Sequence, residues 1–139
     1  MFECLILGDS IAVGLAAHRP ECEVIAKGGV SSAMFNVIYR HRDTTAKTVI
    51  ISLGTNDMKA IRTKKELVEL RRRVTADRVF WVEPIYSHPV SGQDAVELQR
   101  VVAEVAKEFG DYVVAIWSSS DGVHPNVAGY KDLAAKTRL

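Results

Sequence analysis

The chain has 139 residues, of which 47% are hydrophobic and 25% are charged, and this composition indicates one ordinary globular domain rather than a disordered segment. Its net charge of +1 provides no long-range field that would attract nucleic acid or an anionic membrane. No apolar stretch reaches the roughly 18 residues that a membrane span requires. A first predicted strand that starts at Phe2 leaves no room for a removable signal segment. We therefore expect a single cytoplasmic domain over residues 1–139.

Short apolar, β-branched runs alternate with helical patterns along the whole chain. The predicted strands are Phe2–Leu7, Glu23–Ala26, Thr48–Leu53, Arg78–Val82 and Tyr112–Trp117. The predicted helices are Ser10–Ala17, Ser32–Tyr39, Lys64–Val74, Asp94–Phe109 and Asn126–Ala135. Strict alternation implies right-handed crossovers, and hence a parallel sheet with helices on both faces. The prediction is a three-layer α/β fold with a flavodoxin-like strand order, 2-1-3-4-5.

Two cysteines, Cys4 and Cys22, lie in or beside the first two predicted strands. Neither stands in a CxxC or Cys/His spacing of the kind that binds a metal, so we expect both to be buried, reduced thiols. A disulfide between neighbouring strands stays open as the alternative.

A run of basic residues, Arg71–Arg73, falls within the predicted helix Lys64–Val74. Another face of that helix carries Leu67 and Leu70, so we interpret the run as a solvated helix face rather than a phosphate-binding patch. Neither this run nor the net charge indicates a nucleic-acid partner.

Polar residues follow the first and third predicted strands. Ligands of open parallel sheets bind beyond the carboxyl ends of the strands, near the point where strand order reverses, and these two strands flank that point. They end at Gly8-Asp9-Ser10 and Gly54-Thr55-Asn56. A serine in this place can serve as a nucleophile or simply cap the following helix. The Asn56 amide can stabilise an oxyanion, or can be tolerated in a left-handed loop conformation.

Asp121 and His124 stand three residues apart in a loop that contains glycine and proline. This pair can supply the base that a serine nucleophile needs and the carboxylate that orients the base, although Asp121-Gly122 can also be a plain turn. His88, which follows the fourth predicted strand, is a weaker candidate because no carboxylate stands close behind it in the sequence.

The segment Gly28–Ser32 follows the second predicted strand and leads into a helix. Its glycines allow backbone N–H groups to face an anion, and the helix N-terminus favours negative charge. The segment lacks the Lys-Ser/Thr ending of a P-loop and the third glycine of a dinucleotide-binding fingerprint, so it is weak evidence for a phosphate site.

Three segments together resemble, in order, the motifs of the SGNH (GDSL-type) hydrolases, and the likeness extends from Leu5 to Ala134. They are Gly8-Asp9-Ser10-Ile11, Gly54-Thr55-Asn56-Asp57 and Asp121 to Tyr130. The resemblance implies an enzyme that needs no metal and no cofactor. The roles that it implies are nucleophile for Ser10, oxyanion donor for Asn56, and partners of the nucleophile for Asp121 and His124.

One block departs from that family's pattern. The family has an asparagine followed, after a short segment, by a glycine whose backbone N–H joins the oxyanion hole. This chain has Ala26 or Lys27 at the asparagine position. The backbone donor therefore falls on Gly29, Ser31 or Ser32, depending on the alignment.

The sequence thus predicts a serine-dependent carboxylic ester hydrolase that works through an acyl-enzyme. Short connections predict an open cleft for a small-molecule or carbohydrate ester, with short acyl groups or sugar O-acetyl groups as the expected substrates. Two rivals remain: a non-catalytic binding module that keeps the fold, and a flavodoxin-like phosphate- or nucleotide-binding protein that uses Gly28 and Gly29. The sequence does not indicate an oligomeric state.

Overall fold

The computed structural model describes residues 2–116 and 124–138. Its strands are β1 (Phe2–Gly8), β2 (Glu23–Ala26), β3 (Ala46–Ser52), β4 (Arg78–Val82) and β5 (Tyr112–Val114). Its helices are α1 (Ser10–Ala16), α2 (Ser32–Tyr39), α3 (Thr63–Arg73), α4 (Ala95–Phe109) and α5 (Val127–Lys136). Each predicted helix and strand is present. The last strand is shorter than predicted, and Trp117 at its predicted end lies outside the described residues.

The five strands form one parallel sheet in the order β2-β1-β3-β4-β5, which confirms the predicted fold class. The strand order reverses at β1, because its partners on either side are β2 and β3. Gly8 at the end of β1 stands in register with Ala26 on one side and Ser52 on the other. The loops that follow these three strands therefore leave the sheet side by side.

Helices cover both faces of the sheet. One core joins β-strand side chains to Phe35 of α2, Leu67 of α3 and Val102 of α4. The other core contains Leu15 of α1 and Leu133 of α5. Because both faces are covered, the central strands are nearly continuous apolar runs, as is typical of parallel sheets. Among the described residues, no helix is both long and apolar enough to cross a membrane.

Cys4 and Cys22 form a disulfide, so the expectation of reduced thiols is wrong and the alternative is correct. The register explains the pairing. Leu5 of β1 stands beside Glu23 of β2, so the residue before each also faces its counterpart across the two strands. The bond ties β1 to the edge strand β2 at the amino end of the sheet, away from the loops that follow the strands.

The basic run of α3 is solvated only in part. Arg71 donates two hydrogen bonds to Asp111, with distances of 2.7 and 2.9 Å, and its guanidinium lies over the Phe109 ring. Arg73 donates to the side chain of Asn36. Arg72 is exposed. The prediction of a solvated helix face is therefore correct for the middle residue only, because its two neighbours fasten α3 to the elements beside it.

Candidate active site

Ser10 and His124 come together at the carboxyl edge of the sheet. Ser10 Oγ lies 2.7 Å from Nε2 of His124, although the two residues are 114 positions apart in the chain. The serine is the first residue of α1, and His124 stands a few residues before α5. When the imidazole carries its proton on Nδ1, Nε2 accepts the hydrogen bond of the serine hydroxyl. This is the arrangement in which an imidazole can remove the proton from a serine.

A glycine makes the turn before Ser10 possible. Gly8 has a φ of +144°, and a Cβ at this position would lie 1.9 Å from the carbonyl oxygen of Ser52 on the neighbouring strand. No other residue fits so close to a backbone oxygen at such a φ. The chain therefore leaves β1 at Gly8 and enters α1 two residues later.

Asp9, not Ser10, caps helix α1. Its Oδ1 accepts hydrogen bonds from the backbone N–H of Ile11 at 3.0 Å and from the Ser52 hydroxyl at 3.1 Å. Because Asp9 caps the helix, the Ser10 hydroxyl is able to form its hydrogen bond with His124 instead. Asp9 is almost fully buried, and burial raises its pKa to about 6 even though these hydrogen bonds act in the opposite direction.

Gly29 and Asn56 face the same edge. Gly29 has a φ of +77°, a conformation that glycine adopts without strain, and within the described residues no acceptor takes its backbone N–H. The Asn56 amide nitrogen donates one hydrogen bond to the Val30 carbonyl at 3.2 Å. Because that nitrogen carries two hydrogens, the second is left for another acceptor. A Cβ on Gly28 would lie 3.9 Å from Cβ of Ser10, so this loop passes directly beside the serine.

The prediction of Ser32 as an oxyanion donor is wrong, because both of its donors are already used. Its backbone N–H donates to Oδ1 of Asp57 at 2.7 Å, and its hydroxyl donates to Oδ2 at 2.6 Å. The side chain is buried. Of the three predicted candidates for the backbone donor, Gly29 and Ser31 have N–H groups without an acceptor among the described residues, and Ser32 does not.

Asp57 ties together segments around the site, and sequence reasoning missed its contact with Ser32. Besides Ser32, it accepts a hydrogen bond from the Thr63 hydroxyl at 2.7 Å, so one carboxylate joins the start of α2, the loop after β3 and the start of α3. Burial raises the pKa of Asp57, and these hydrogen bonds partly oppose the rise. Its position directly after Asn56 was a usable signal, since a carboxylate there is next to the site.

Asp121, the predicted orienting carboxylate, lies outside the described residues. His88, the rival base, is exposed, and its Nδ1 accepts hydrogen bonds from the backbone N–H groups of Val90 and Ser91 within one short turn. Among residues 2–116 and 124–138, no three His, Cys, Asp or Glu side chains are placed to share a metal ion.

No protein-family model and no curated protein matches the chain. Solved structures do match it over nearly its whole length. A GDSL-like lipase of Bacteroides thetaiotaomicron is 20% identical, with a TM-score of 0.69 over 95% of this chain and 83% of that one. An alpha/beta hydrolase enzyme from the metagenome of Lake Arreo, Spain, is 17% identical, with a TM-score of 0.67 over 94% of this chain and 90% of the other.

A third match is the C-terminal catalytic domain of a peptidoglycan O-acetyltransferase from Streptococcus pneumoniae, solved with a methylsulfonyl adduct. It is 20% identical, with a TM-score of 0.60 over 98% of this chain and 92% of that one. The chain thus has the SGNH (GDSL-type) hydrolase fold, and the resemblance that its motifs suggested is confirmed at the level of the fold.

Proposed function

We propose that the protein is a serine-dependent carboxylic ester hydrolase, with Ser10 as nucleophile and His124 as general base. The observation that carries the proposal is the 2.7 Å separation between Ser10 Oγ and His124 Nε2 at the reversal point of the sheet. Gly29 and Asn56 beside this pair support the proposal, because their N–H groups can donate hydrogen bonds to the oxyanion that develops on the ester carbonyl oxygen.

The reaction proceeds in two halves. Ser10 Oγ bonds to the acyl carbon while its proton passes to Nε2 of His124, and the carbonyl electron pair moves onto oxygen. That oxyanion accepts hydrogen bonds from the Gly29 N–H and the Asn56 amide. When the oxyanion collapses, the bond to the alcohol breaks and the alcohol oxygen takes the proton from His124. Water then attacks the acyl-enzyme with the same base, which releases the carboxylic acid and restores Ser10.

Asp121 is proposed to accept the Nδ1–H of His124, which keeps Nε2 unprotonated and stabilises the imidazolium. The motif that contains both residues supports this role. The substrate is proposed to be a small-molecule or carbohydrate ester. The names of the structural neighbours, a lipase and an O-acetyltransferase among them, are consistent with acyl chemistry of this kind.

A fluorophosphonate probe tests the nucleophile, because only an activated serine bonds to its phosphorus with loss of fluoride. Intact-mass measurement should show one adduct, and peptide mapping should place it on Ser10. The Ser10→Ala protein should take up no label and hydrolyse no ester, yet stay folded, with a melting temperature close to that of the parent.

Ser91→Ala is the matched control. Ser91 Oγ also lies within hydrogen-bond distance of a histidine, at 3.0 Å from Nδ1 of His88, so it tests whether any such contact activates a serine. Labelling and hydrolysis should survive this change. A folded parent protein that takes up no label and hydrolyses no ester in a broad library would instead identify a non-catalytic module.

A further inference from the structure

An apolar cavity opens next to the proposed oxyanion donors. Its volume is about 430 Å³, and Gly29 and Asn56 form part of its lining. The rest of the lining is dominated by four large apolar side chains from α2 and from the segment after β3: Met34, Ile38, Met58 and Ile61. Concave, largely apolar surfaces with a few polar groups at one end are the usual form of small-molecule sites.

Three of these four side chains are exposed to water. Met34 is 51% exposed, Met58 is 45% exposed and Ile38 is 44% exposed. Scattered exposed apolar residues need no explanation, but here three of them line one cavity that adjoins the candidate nucleophile. An apolar group placed in the cavity would remove their surface from water, which is favourable in proportion to the area covered.

The cavity lies on the acyl side of the proposed reaction. The alcohol oxygen must reach His124 to take up a proton when it leaves, so the alcohol occupies the histidine side of Ser10. The acyl chain leaves the acyl carbon in another direction. The cavity is lined by Gly29 and by Gly28, which lies beside Ser10. Among the described residues, its lining includes none from the segment around His124.

We propose that this cavity binds a linear, apolar acyl chain longer than acetyl. This inference rests on the proposed function and extends it, because the sequence alone led us to expect short acyl groups. The chain would run from the acyl carbon on Ser10, past Gly29 and Asn56, and between Met34 and Met58. Methionine side chains adapt to chains of different length, so we expect a graded preference rather than one permitted length.

Hydrolysis of p-nitrophenyl acetate, butyrate, hexanoate and octanoate measures this preference. Each methylene that enters the cavity should raise kcat/KM by up to about fourfold, the equivalent of about 0.8 kcal/mol per methylene. We therefore expect hexanoate to exceed acetate by at least about 20-fold, because the cavity is partly open and only part of the full gain is realised. A flat or falling series from acetate to hexanoate overturns the proposal.

Two neighbouring residues of α2 provide a matched pair of variants. Ile38 lines the cavity, whereas Val37, 65% exposed on the same helix, does not. Ile38→Asp should lower the hexanoate-to-acetate ratio of kcat/KM by about tenfold, which is the usual effect of a small misfit in an apolar pocket. Val37→Asp, which adds the same charge to the same helix, should leave the ratio unchanged. Equal effects of the two changes would contradict the assignment.

A binding measurement separates this inference from the proposed function. The chain contains three methionines, and two of them, Met34 and Met58, line the cavity. With ¹³C-methyl methionine in the Ser10→Ala protein, titration with octanoate should shift these two methyl signals. Shifts without any turnover in the parent protein would support the cavity and reject the hydrolase. Turnover with a flat chain-length series and no shifts would reject the cavity and leave the hydrolase standing.

Discussion

Within the described residues, two serine–histidine pairs lie within hydrogen-bond distance, and they differ in ways that matter for chemistry. The site pair is Ser10 with His124, and the loop pair is Ser91 with His88. The site pair joins residues 114 positions apart, whereas the loop pair spans three positions in one exposed turn. The site pair is partly buried beside Gly29 and Asn56.

The ring nitrogens also differ. The site pair uses Nε2 of its histidine, whereas the loop pair uses Nδ1, which already accepts hydrogen bonds from two backbone N–H groups at 3.2 and 3.1 Å. An imidazole nitrogen whose lone pair is shared among backbone donors is a turn cap, and its serine is not activated. A short Ser–His distance is therefore weak evidence by itself. Its surroundings decide whether it indicates a nucleophile.

The largest expected effect is the loss of the histidine of the site pair. His124→Ala should lower kcat/KM by about 10²–10⁴-fold, the usual worth of general acid–base catalysis. His88→Ala should change it by less than about twofold, because its Nδ1 is occupied by its own turn. Steady-state hydrolysis of one ester by both variants measures the contrast. If the loss of His88 is the more damaging, the base is misassigned and the comparison of the two pairs fails.

The next effect concerns Asn56, the proposed oxyanion donor beside the site pair. Asn56→Ala should lower kcat by about 10²–10³-fold with little change in KM, because the amide is aimed at charge that appears only in the transition state. Steady-state kinetics should be used to determine kcat and KM separately for the parent and the variant. A raised KM with unchanged kcat would make Asn56 a contact for the bound substrate and leave the oxyanion to backbone donors such as Gly29.

A third prediction concerns the strands that support the site pair. Ser10 follows β1 and Gly29 follows β2, and the Cys4–Cys22 disulfide joins these strands with a sequence separation of 18 residues. Closing a loop of this size should contribute about 3 kcal/mol to the free energy of unfolding. Urea denaturation of the parent and of the Cys4→Ser, Cys22→Ser double variant measures it. The folded variant should keep most of its activity, because the bond lies at the opposite end of the sheet from Ser10.

The smallest effect is the pH dependence of stability that Asp9 confers. Its pKa is raised from 3.8 to about 6 by burial, so the folded protein binds the proton more tightly than the unfolded chain does. This stabilisation is complete below the unfolded pKa and is lost as the pH rises through about 6. Relative to Asp9→Asn, the parent should lose about 2.4 kcal/mol of unfolding free energy between pH 4 and pH 7.

Asp94→Asn is the matched control for that measurement. Asp94 caps α4 as Asp9 caps α1, by accepting hydrogen bonds from the backbone N–H groups of the first helical turn, but it is exposed. A pH-dependent divergence of equal size in the Asp94→Asn protein would show that burial is not the cause.

The fold was predictable because its signals are local. The period and the length of the apolar runs distinguish strands from helices within a few residues. The strict alternation of strands and helices then favours a parallel sheet with right-handed crossovers. Ser10, Asn56 and His124 could be identified from the sequence for a related reason. Each lies near a boundary of a predicted element, and the carboxyl ends of parallel strands lie at one edge.

What could not be predicted depends on contacts between distant side chains. The hydrogen bonds between Ser32 and Asp57 require knowing that the start of α2 and the loop after β3, 25 residues apart in the chain, come into contact. The disulfide requires the register of β1 against β2, and a shift of one residue would separate the two cysteines. Arg71 and Arg73 look solvated in the sequence, but each donates a hydrogen bond to a polar side chain outside α3.

Because α1 packs closely against α5, the proposed activity should appear only when folding is complete. A Cβ on Gly14 of α1 would lie 2.3 Å from the Tyr130 ring of α5, so the glycine allows the last helix to settle against the first. His124, which contacts Ser10, lies just before that last helix in the chain. A ribosome-bound chain that has emerged only as far as β4 holds Ser10 without its proposed base, so we expect it to hydrolyse no ester. In refolding, the recovery of turnover should therefore follow the docking of α5, later than the recovery of helical signal.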